Sequence, residues 1–141
     1  MNASPKWFKG LAVAGLLWNL LGCLAFAADL RLTPEDVARL PEAHQALYAA
    51  RPAWALAATA IAVIGGALGC TGMLFGKRWA FPLLVLSLLG ILVQDYAMFI
   101  LVDGLGLAGS VAALLQGMVL LVGVALVALA RKGVTRGWLT R

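Results

Sequence analysis

Apolar residues fall into four long, almost charge-free runs that account for most of the chain. The runs cover residues 8–28, 53–75, 79–102 and 105–130, and most charged residues lie between or around them. A helix of about 20 apolar residues crosses the hydrocarbon core of a bilayer, and each run reaches that length. The pattern therefore predicts an all-α integral membrane protein, a four-helix bundle that forms a single transmembrane domain over residues 1–141.

The connection between the first two predicted helices, residues 29–52, is long enough to have structure of its own. Thr33 followed by Pro34 is typical of a helix start, because threonine caps free N–H groups and proline fits the first turn. A second start at Glu42 predicts another short helix that runs to about Ala50. We expect a short helical periplasmic loop, which is either a docking surface for a periplasmic partner or a simple interfacial connection.

Charge is distributed unevenly between the two predicted ends of the bundle. Most basic residues precede the first helix, separate the second from the third, or follow the fourth: Lys6, Lys9, Lys77, Arg78, Arg131, Lys132, Arg136 and Arg141. The other side holds acidic residues: Asp29, Glu35, Asp36, Glu42 and Asp103. Because Lys and Arg flank the cytoplasmic ends of membrane helices, we predict a multi-pass inner-membrane protein with both termini in the cytoplasm. The net charge of +5 then predicts contact with anionic lipid and not with nucleic acid.

The first apolar run has two alternative interpretations. Lys6 and Lys9 precede it, and residues 25–27 resemble the small-residue cleavage site of a signal peptide, with Cys23 as a possible lipidation site. Removal of the run would leave three helices. We favour a retained membrane helix because the run is long for a signal core and contains Asn19.

The second predicted helix carries glycines at spacings of four. Gly65 and Gly69 form one GxxxG pair, and Gly72 and Gly76 form another. Small residues four apart bring two helix backbones close together, so these glycines predict helix packing. The spacing does not distinguish packing inside the bundle from association with a second copy.

Four polar residues lie inside the predicted spans: Asn19, Gln94, Asp95 and Gln116. Such residues are costly in lipid and are candidates for function. In one hypothesis Asp95 titrates or binds a cation, and the three amides line the same polar pocket. In the other hypothesis Asp95 pairs with a loop arginine such as Arg51, while the amides form hydrogen bonds between helices.

Reactive groups are scarce. His44, in the loop, is the only histidine, and Cys23 and Cys70 lie at different predicted depths, so no metal site or disulfide is expected. The sequence contains no Walker, Rossmann or HExxH motif. We therefore expect a protein without catalytic residues, metal or cofactor.

Several segments resemble a known family; they are residues 17–20, 40–43, 51–54, 60–66, 77–82 and 86–90, followed by Gln94. Together they are similar to small, uncharacterised four-helix inner-membrane proteins of Gram-negative bacteria. The resemblance covers about Leu17 to Gln94. Some relatives carry an automatic label of sugar transporter, which adds to the expectation of transport without implying any site residue.

Two functions follow from these features. The first is a non-enzymatic accessory or assembly subunit of a membrane complex, which contacts the lipid bilayer and either other membrane subunits or a second copy. The alternative is a small oligomeric transporter of a solute such as a sugar, or a proton-coupled carrier, with Asp95 at the coupling site. Four helices rarely enclose a solute path alone, so this alternative requires oligomerisation. An enzyme acting on lipid or quinone ranks third.

Overall fold

The computed structural model describes residues 3–101 and 104–140, which are mostly helical and contain no strand. The helices are α1 Lys6–Leu30, α2 Pro34–Ala38, α3 Glu42–Ala50, α4 Ala53–Leu74, α5 Ala80–Tyr96 and α6 Gly104–Thr135, and α5 continues as a π-helical segment, Ala97–Leu101. The predicted turn at Asp103 lies outside the described residues. An all-α bundle is thereby confirmed.

Within the part of the chain that the structure describes, four helices are long and apolar enough to cross a membrane. The candidate spans contain 25, 22, 21 and 23 residues, in chain order: Lys6–Leu30, Ala53–Leu74, Ala80–Ile100 and Ala113–Thr135. At 1.5 Å per residue, even the shortest covers the roughly 30 Å of a bilayer core. Helix α6 extends five residues beyond its predicted end at 130, since the basic residue Lys132 is favourable in its last turn.

Helix α4 lies at the centre of the bundle. It packs extensively on both α5 and α1, and α5 in turn packs on α6. Helices α1 and α6 touch little, whereas α3 packs against α6. We call the end that carries α2 and α3 the loop end. The opposite end, where the start of α1, the turn at Lys77 and the C-terminal residues meet, is the tail end.

The best-packed part of the core lies at the tail end. Its buried residues are Phe8, Ala12, Cys70, Met73, Ala80, Leu84, Leu126, Ala130 and Leu139. The chain reaches this cluster after α6 by turning at Gly137, whose φ of +77° is accessible mainly to glycine. The backbone N–H of Trp138 donates to the Gly133 carbonyl (2.8 Å), and that of Thr140 donates to the Gly76 carbonyl (3.1 Å). The C-terminal residues therefore close the tail end.

The loop contains the two short helices that the sequence predicts. Thr33 caps α2: its hydroxyl accepts from the Asp36 N–H (3.2 Å), and the Asp36 carboxylate accepts from the Thr33 N–H (3.1 Å). The side chain of Gln45 in α3 donates to the carbonyls of Ala38 and Leu40. These bonds fix α2 against α3.

The glycines of α4 have two different roles. Gly65, Gly69 and Gly72 pack closely against α5 and the turn before it. A Cβ added to Gly65 would lie 3.3 Å from the Leu83 carbonyl oxygen, and one added to Gly69 would lie 2.5 Å from the Leu84 side chain. Gly76 differs from its predicted role in helix packing. It lies beyond the end of α4 with φ +69°, where it forms the left-handed turn that ends the helix.

Candidate functional site

Asn19 is buried between α1 and α4. Its Nδ2 donates to the Gly15 carbonyl (2.8 Å) in the preceding turn and lies 4.0 Å from the Cys70 Sγ. The side chain fits against Gly66, where an added Cβ would lie only 2.0 Å from the Asn19 Oδ1. Asn19 therefore joins two helices through close packing and bonds to its own helix.

Three polar side chains meet in the loop-end half of the bundle and connect three helices. The hydroxyl of Thr59 in α4 lies 2.6 Å from the Gln94 Oε1 in α5, and the Gln94 Nε2 donates to the Gln116 Oε1 in α6 (3.3 Å). We call Thr59, Gln94 and Gln116 the polar triad. The sequence indicated both glutamines but not Thr59, because threonine in a helix ordinarily bonds its own backbone, as Thr59 also does with the Ala55 carbonyl (3.0 Å).

The polar triad lies where two cavities meet. One, of about 340 Å³, extends to the loop end, and the other, of about 350 Å³, extends toward the middle of the bundle. They share five lining residues: Gly22, Ala25, Thr59, Gln94 and Gln116. We call the two together the cleft. It lies between α1 and α6 and has α4 and α5 as its floor, because α1 and α6 make few contacts.

Asp95 does not line the cleft. One carboxylate oxygen, Oδ1, is buried and has no hydrogen-bond partner among the described residues, while the side chain as a whole is half-buried. Successive residues in a helix are rotated by about 100°, so Asp95 and its neighbour Gln94 face different directions. The structure thus places Gln94 and Gln116 together, puts Asn19 deeper in the same cleft, and separates Asp95 from all three.

The pairing of Asp95 with Arg51, the other expectation for this residue, is also not found. Arg51 instead forms a salt bridge with Asp29 at the end of α1 (3.0 Å). The Arg51 guanidinium also lies over the Tyr48 ring, 4.7 Å from its centroid, and the Tyr48 hydroxyl donates to the Asp29 Oδ1 (2.5 Å). We call Asp29, Tyr48 and Arg51 the loop-end clamp. It ties α1, α3 and the start of α4 together at the mouth of the cleft, beside His44.

The pKa of Tyr48 is raised above its ordinary value, first by burial and then by the hydrogen bond and negative charge of Asp29, while Arg51 opposes the shift. Because the folded-state pKa is raised, the neutral phenol stabilises the fold at any pH below about 10, the pKa of tyrosine in the unfolded chain. This contribution is lost as the pH rises through the folded-state pKa. We expect the clamp to persist at neutral pH and to weaken only in strong alkali, where a phenolate would face the Asp29 carboxylate.

Tyrosinate absorbance in a Tyr96→Phe background measures this pKa, because Tyr48 is then the only tyrosine. We expect titration above pH 10, and Asp29→Asn should lower the midpoint only part of the way because burial remains the first cause. Titration at or below pH 10 would contradict the clamp geometry.

No group of three His, Cys, Asp or Glu side chains suited to a metal ion occurs among the described residues. Cys23 is half-buried and Cys70 is buried, and neither forms a disulfide. The cleft offers hydroxyl and amide groups, His44, and the paired side chains of Asp29 and Arg51, which are suited to hydrogen bonding.

Comparison with protein-family models, with curated proteins and with solved structures gives no match for this chain. The family resemblance drawn from the sequence stays untested. Two features of the structure bear on function: the cleft with its polar triad, and the Asp95 carboxylate, whose buried oxygen has no partner among the described residues.

Proposed function

We propose that the chain is a non-enzymatic, multi-pass protein of the bacterial inner membrane that serves as an accessory or assembly subunit of a membrane complex. Both termini are proposed to lie in the cytoplasm. This orientation is supported by the tail end, which collects the basic residues Lys6, Lys9, Lys77, Arg78, Arg131, Lys132 and Arg136, whose side chains are exposed. Such residues mark the cytoplasmic side of a membrane protein.

The single observation that carries the subunit proposal is the Asp95 carboxylate. It lies within the candidate span Ala80–Ile100, five residues or about 8 Å from the end of that span. Its buried oxygen has no partner among the described residues, although an intramembrane carboxylate is strongly favoured to have one. A lysine or arginine on the transmembrane helix of a partner would supply the opposite charge through the exposed part of this half-buried carboxylate.

The surroundings of Asp95 suit a partner helix. Leu92 and Tyr96, on the same stretch of α5, are 46% and 52% exposed, so apolar surface flanks the carboxylate. The helix also widens into its π-helical segment at Ala97, a feature frequent at functional sites. Lipid chains can cover the apolar residues but cannot satisfy the carboxylate. A partner helix with a basic residue can do both.

The alternative, a proton-coupled carrier using Asp95, has less support. A coupling carboxylate must face the path of the solute, and Asp95 lines neither part of the cleft. The polar triad inside the cleft does not titrate, and the one carboxylate of the lining, Asp29, is already paired with Arg51. The geometry therefore favours Asp95 as a contact with another subunit.

Photo-crosslinking in intact cells tests the proposal. With benzoylphenylalanine at Leu92, one helical turn from Asp95, we expect a crosslink to a membrane protein that carries a Lys or Arg within a transmembrane helix. The isosteric Asp95→Asn should abolish the crosslink and Asp95→Glu should retain it, because charge is the recognised feature. The matched control is the crosslinker at Leu121 of α6, which is 72% exposed and distant in sequence from Asp95.

Two results would contradict the proposal. One is a Leu92 crosslink that Asp95→Asn leaves intact, since the contact would then not depend on the carboxylate. The other is pH-dependent solute uptake by the purified chain alone in liposomes, abolished by Asp95→Asn, which would support the carrier. Charge reversal provides a final check: Asp95→Lys should break the complex, and an acidic residue at the basic position of the partner should restore it.

A further inference from the structure

We propose that the cleft binds an uncharged membrane lipid whose head presents carbonyl oxygens to Gln94 and Gln116 and whose hydrocarbon tail lies in the half of the cleft nearer the middle of the bundle. The proposal goes beyond the subunit function and does not involve Asp95, which lies outside the cleft. It depends on three observations: the hydrogen-bonding capacity of the polar triad, the charge of the lining and the lateral opening between α1 and α6.

The polar triad has N–H groups to spare. Two glutamine amides carry four N–H bonds, and a single bond between the two side chains uses one of them. The single Thr59 hydroxyl proton is shared between the Ala55 carbonyl and the Gln94 Oε1, and the Gln116 Nε2 has no acceptor among the described residues. A group that enters between the helices therefore meets donors, and carbonyl oxygens are the complementary chemistry.

Apart from His44, the described residues of the lining carry no net charge. Its two charged residues, Asp29 and Arg51, pair with each other at the mouth (3.0 Å), and both are held by Tyr48. An ionic head would leave a charge unpaired in a largely apolar site, which is costly. The lining thus favours a neutral head with acceptor oxygens over a phosphate or an amine.

The deeper half of the cleft suits a hydrocarbon tail. Its lining is mostly apolar and includes Trp18, Leu21, Val63, Ile91 and Val119. Because α1 and α6 make few contacts, a ligand can enter sideways from the bilayer and not only through the loop-end mouth. Each cavity falls within the roughly 300–1,000 Å³ of small-molecule sites.

Trp18 provides a built-in reporter, since it lines the deeper half. The purified chain in nanodiscs is titrated with two carbonyl probes, decylubiquinone and a brominated diacylglycerol, and with a brominated alkane that has a tail but no head. We expect saturable quenching of tryptophan fluorescence by a carbonyl probe, and the saturable part should disappear in Trp18→Phe. Whichever carbonyl probe saturates at lower concentration identifies the source as a quinone or an ester lipid.

Matched variants separate binding in the cleft from dissolution in the bilayer. Ala25→Phe fills the cleft where its two cavities meet and should weaken binding at least tenfold, whereas Leu24→Phe, one residue away, should not change it. Leu24 is 68% exposed and does not line the cleft. Gln116→Leu removes a hydrogen-bond donor, so it should weaken binding of the carbonyl probe by about tenfold and leave binding of the alkane unchanged.

Two outcomes would overturn the proposal. Quenching that rises linearly with probe concentration, and equally in Ala25→Phe, would show that the probe dissolves in lipid and does not occupy the cleft. Saturable binding of the alkane as tight as that of the carbonyl probes would exclude recognition of the head by Gln94 and Gln116. Because Ala25 is exposed, Ala25→Phe tests the site even if Gln116→Leu fails to fold.

Discussion

Replacing Gly90 by alanine is expected to destabilise the bundle by about 2–3 kcal/mol, the upper part of the usual range for overpacking. A Cβ at Gly90 would lie 2.7 Å from the Ala58 carbonyl oxygen and 3.0 Å from the Ala62 amide nitrogen. Both atoms belong to the backbone of α4, so no side-chain rotation relieves the clash. Helices α4 and α5 would have to separate, and the bond from the Ser87 hydroxyl to the Ala62 carbonyl (2.5 Å) would lengthen with them.

The measurement is the free energy of unfolding of the purified chain in mixed micelles, titrated with a denaturing detergent. Gly117→Ala is the matched control, because a Cβ there meets no atom within 4 Å. It should leave stability unchanged or raise it by up to about 1 kcal/mol, since alanine is the better helix former. Equal stability of Gly90→Ala and Gly117→Ala would show that α4 and α5 do not approach as closely as the structure has them.

The sequence predicted the four long helices to within a few residues, because an apolar run of about 20 residues is typical of a membrane-spanning helix and of few other structures. It also predicted the loop helices, whose starts are set locally by Thr33–Pro34 and by Glu42. Gly90 is a harder case. The sequence indicated the glycines of α4 by their GxxxG spacing and Gly90 only as part of a stripe with Ser87 and Gln94, yet among the glycines Gly90 comes closest to an opposing backbone. The spacing of glycines along one helix does not show how close the backbone of the neighbouring helix lies at each of them.

The polar residues show a second limit of the sequence. Their type and depth indicated that Asn19, Gln94, Asp95 and Gln116 matter, but not which of them share a surface. Gln94 and Asp95 are adjacent in the chain, yet only Gln94 joins the polar triad, because the rotation of α5 about its axis decides which of the two faces the cleft. That rotation is set by packing across the whole helix.

The two proposals use opposite properties of the bundle. The cleft exists because α1 and α6 make few contacts with each other beyond the tail-end core. Asp95 lies outside the cleft, on a part of α5 where apolar residues such as Leu92 and Tyr96 are exposed to a partner. A lipid in the cleft and a partner at Asp95 would thus contact different surfaces of α5. The Gln116→Leu and Asp95→Asn variants should therefore act independently, the first on lipid binding and the second on the complex.

The fit of Asn19 against Gly66 is expected to produce strong coupling between the two positions. Gly66→Ala should destabilise the bundle by about 2 kcal/mol, because its Cβ would lie 2.0 Å from the Asn19 Oδ1 and 2.5 Å from the Cγ. Asn19→Ala should cost less, since it removes a bond to the Gly15 carbonyl and leaves a small void. In the double variant the new methyl group occupies the void, so the two costs should not add.

A double-mutant cycle measures this coupling, with an expected interaction energy of about 1–2 kcal/mol in favour of the double variant. The control cycle pairs Asn19→Ala with Gly69→Ala. A Cβ at Gly69 would meet the Leu84 side chain of α5 at 2.5 Å and has no Asn19 atom among its nearest neighbours, so those two costs should add. Additivity in the Gly66 cycle, or equal coupling in both cycles, would show that Asn19 does not occupy the space beside Gly66. If the double variant recovers stability only in the Gly66 cycle, the side of α1 that carries Asn19 faces Gly66 of α4. That result would establish how α1 is rotated about its axis where it forms a wall of the cleft.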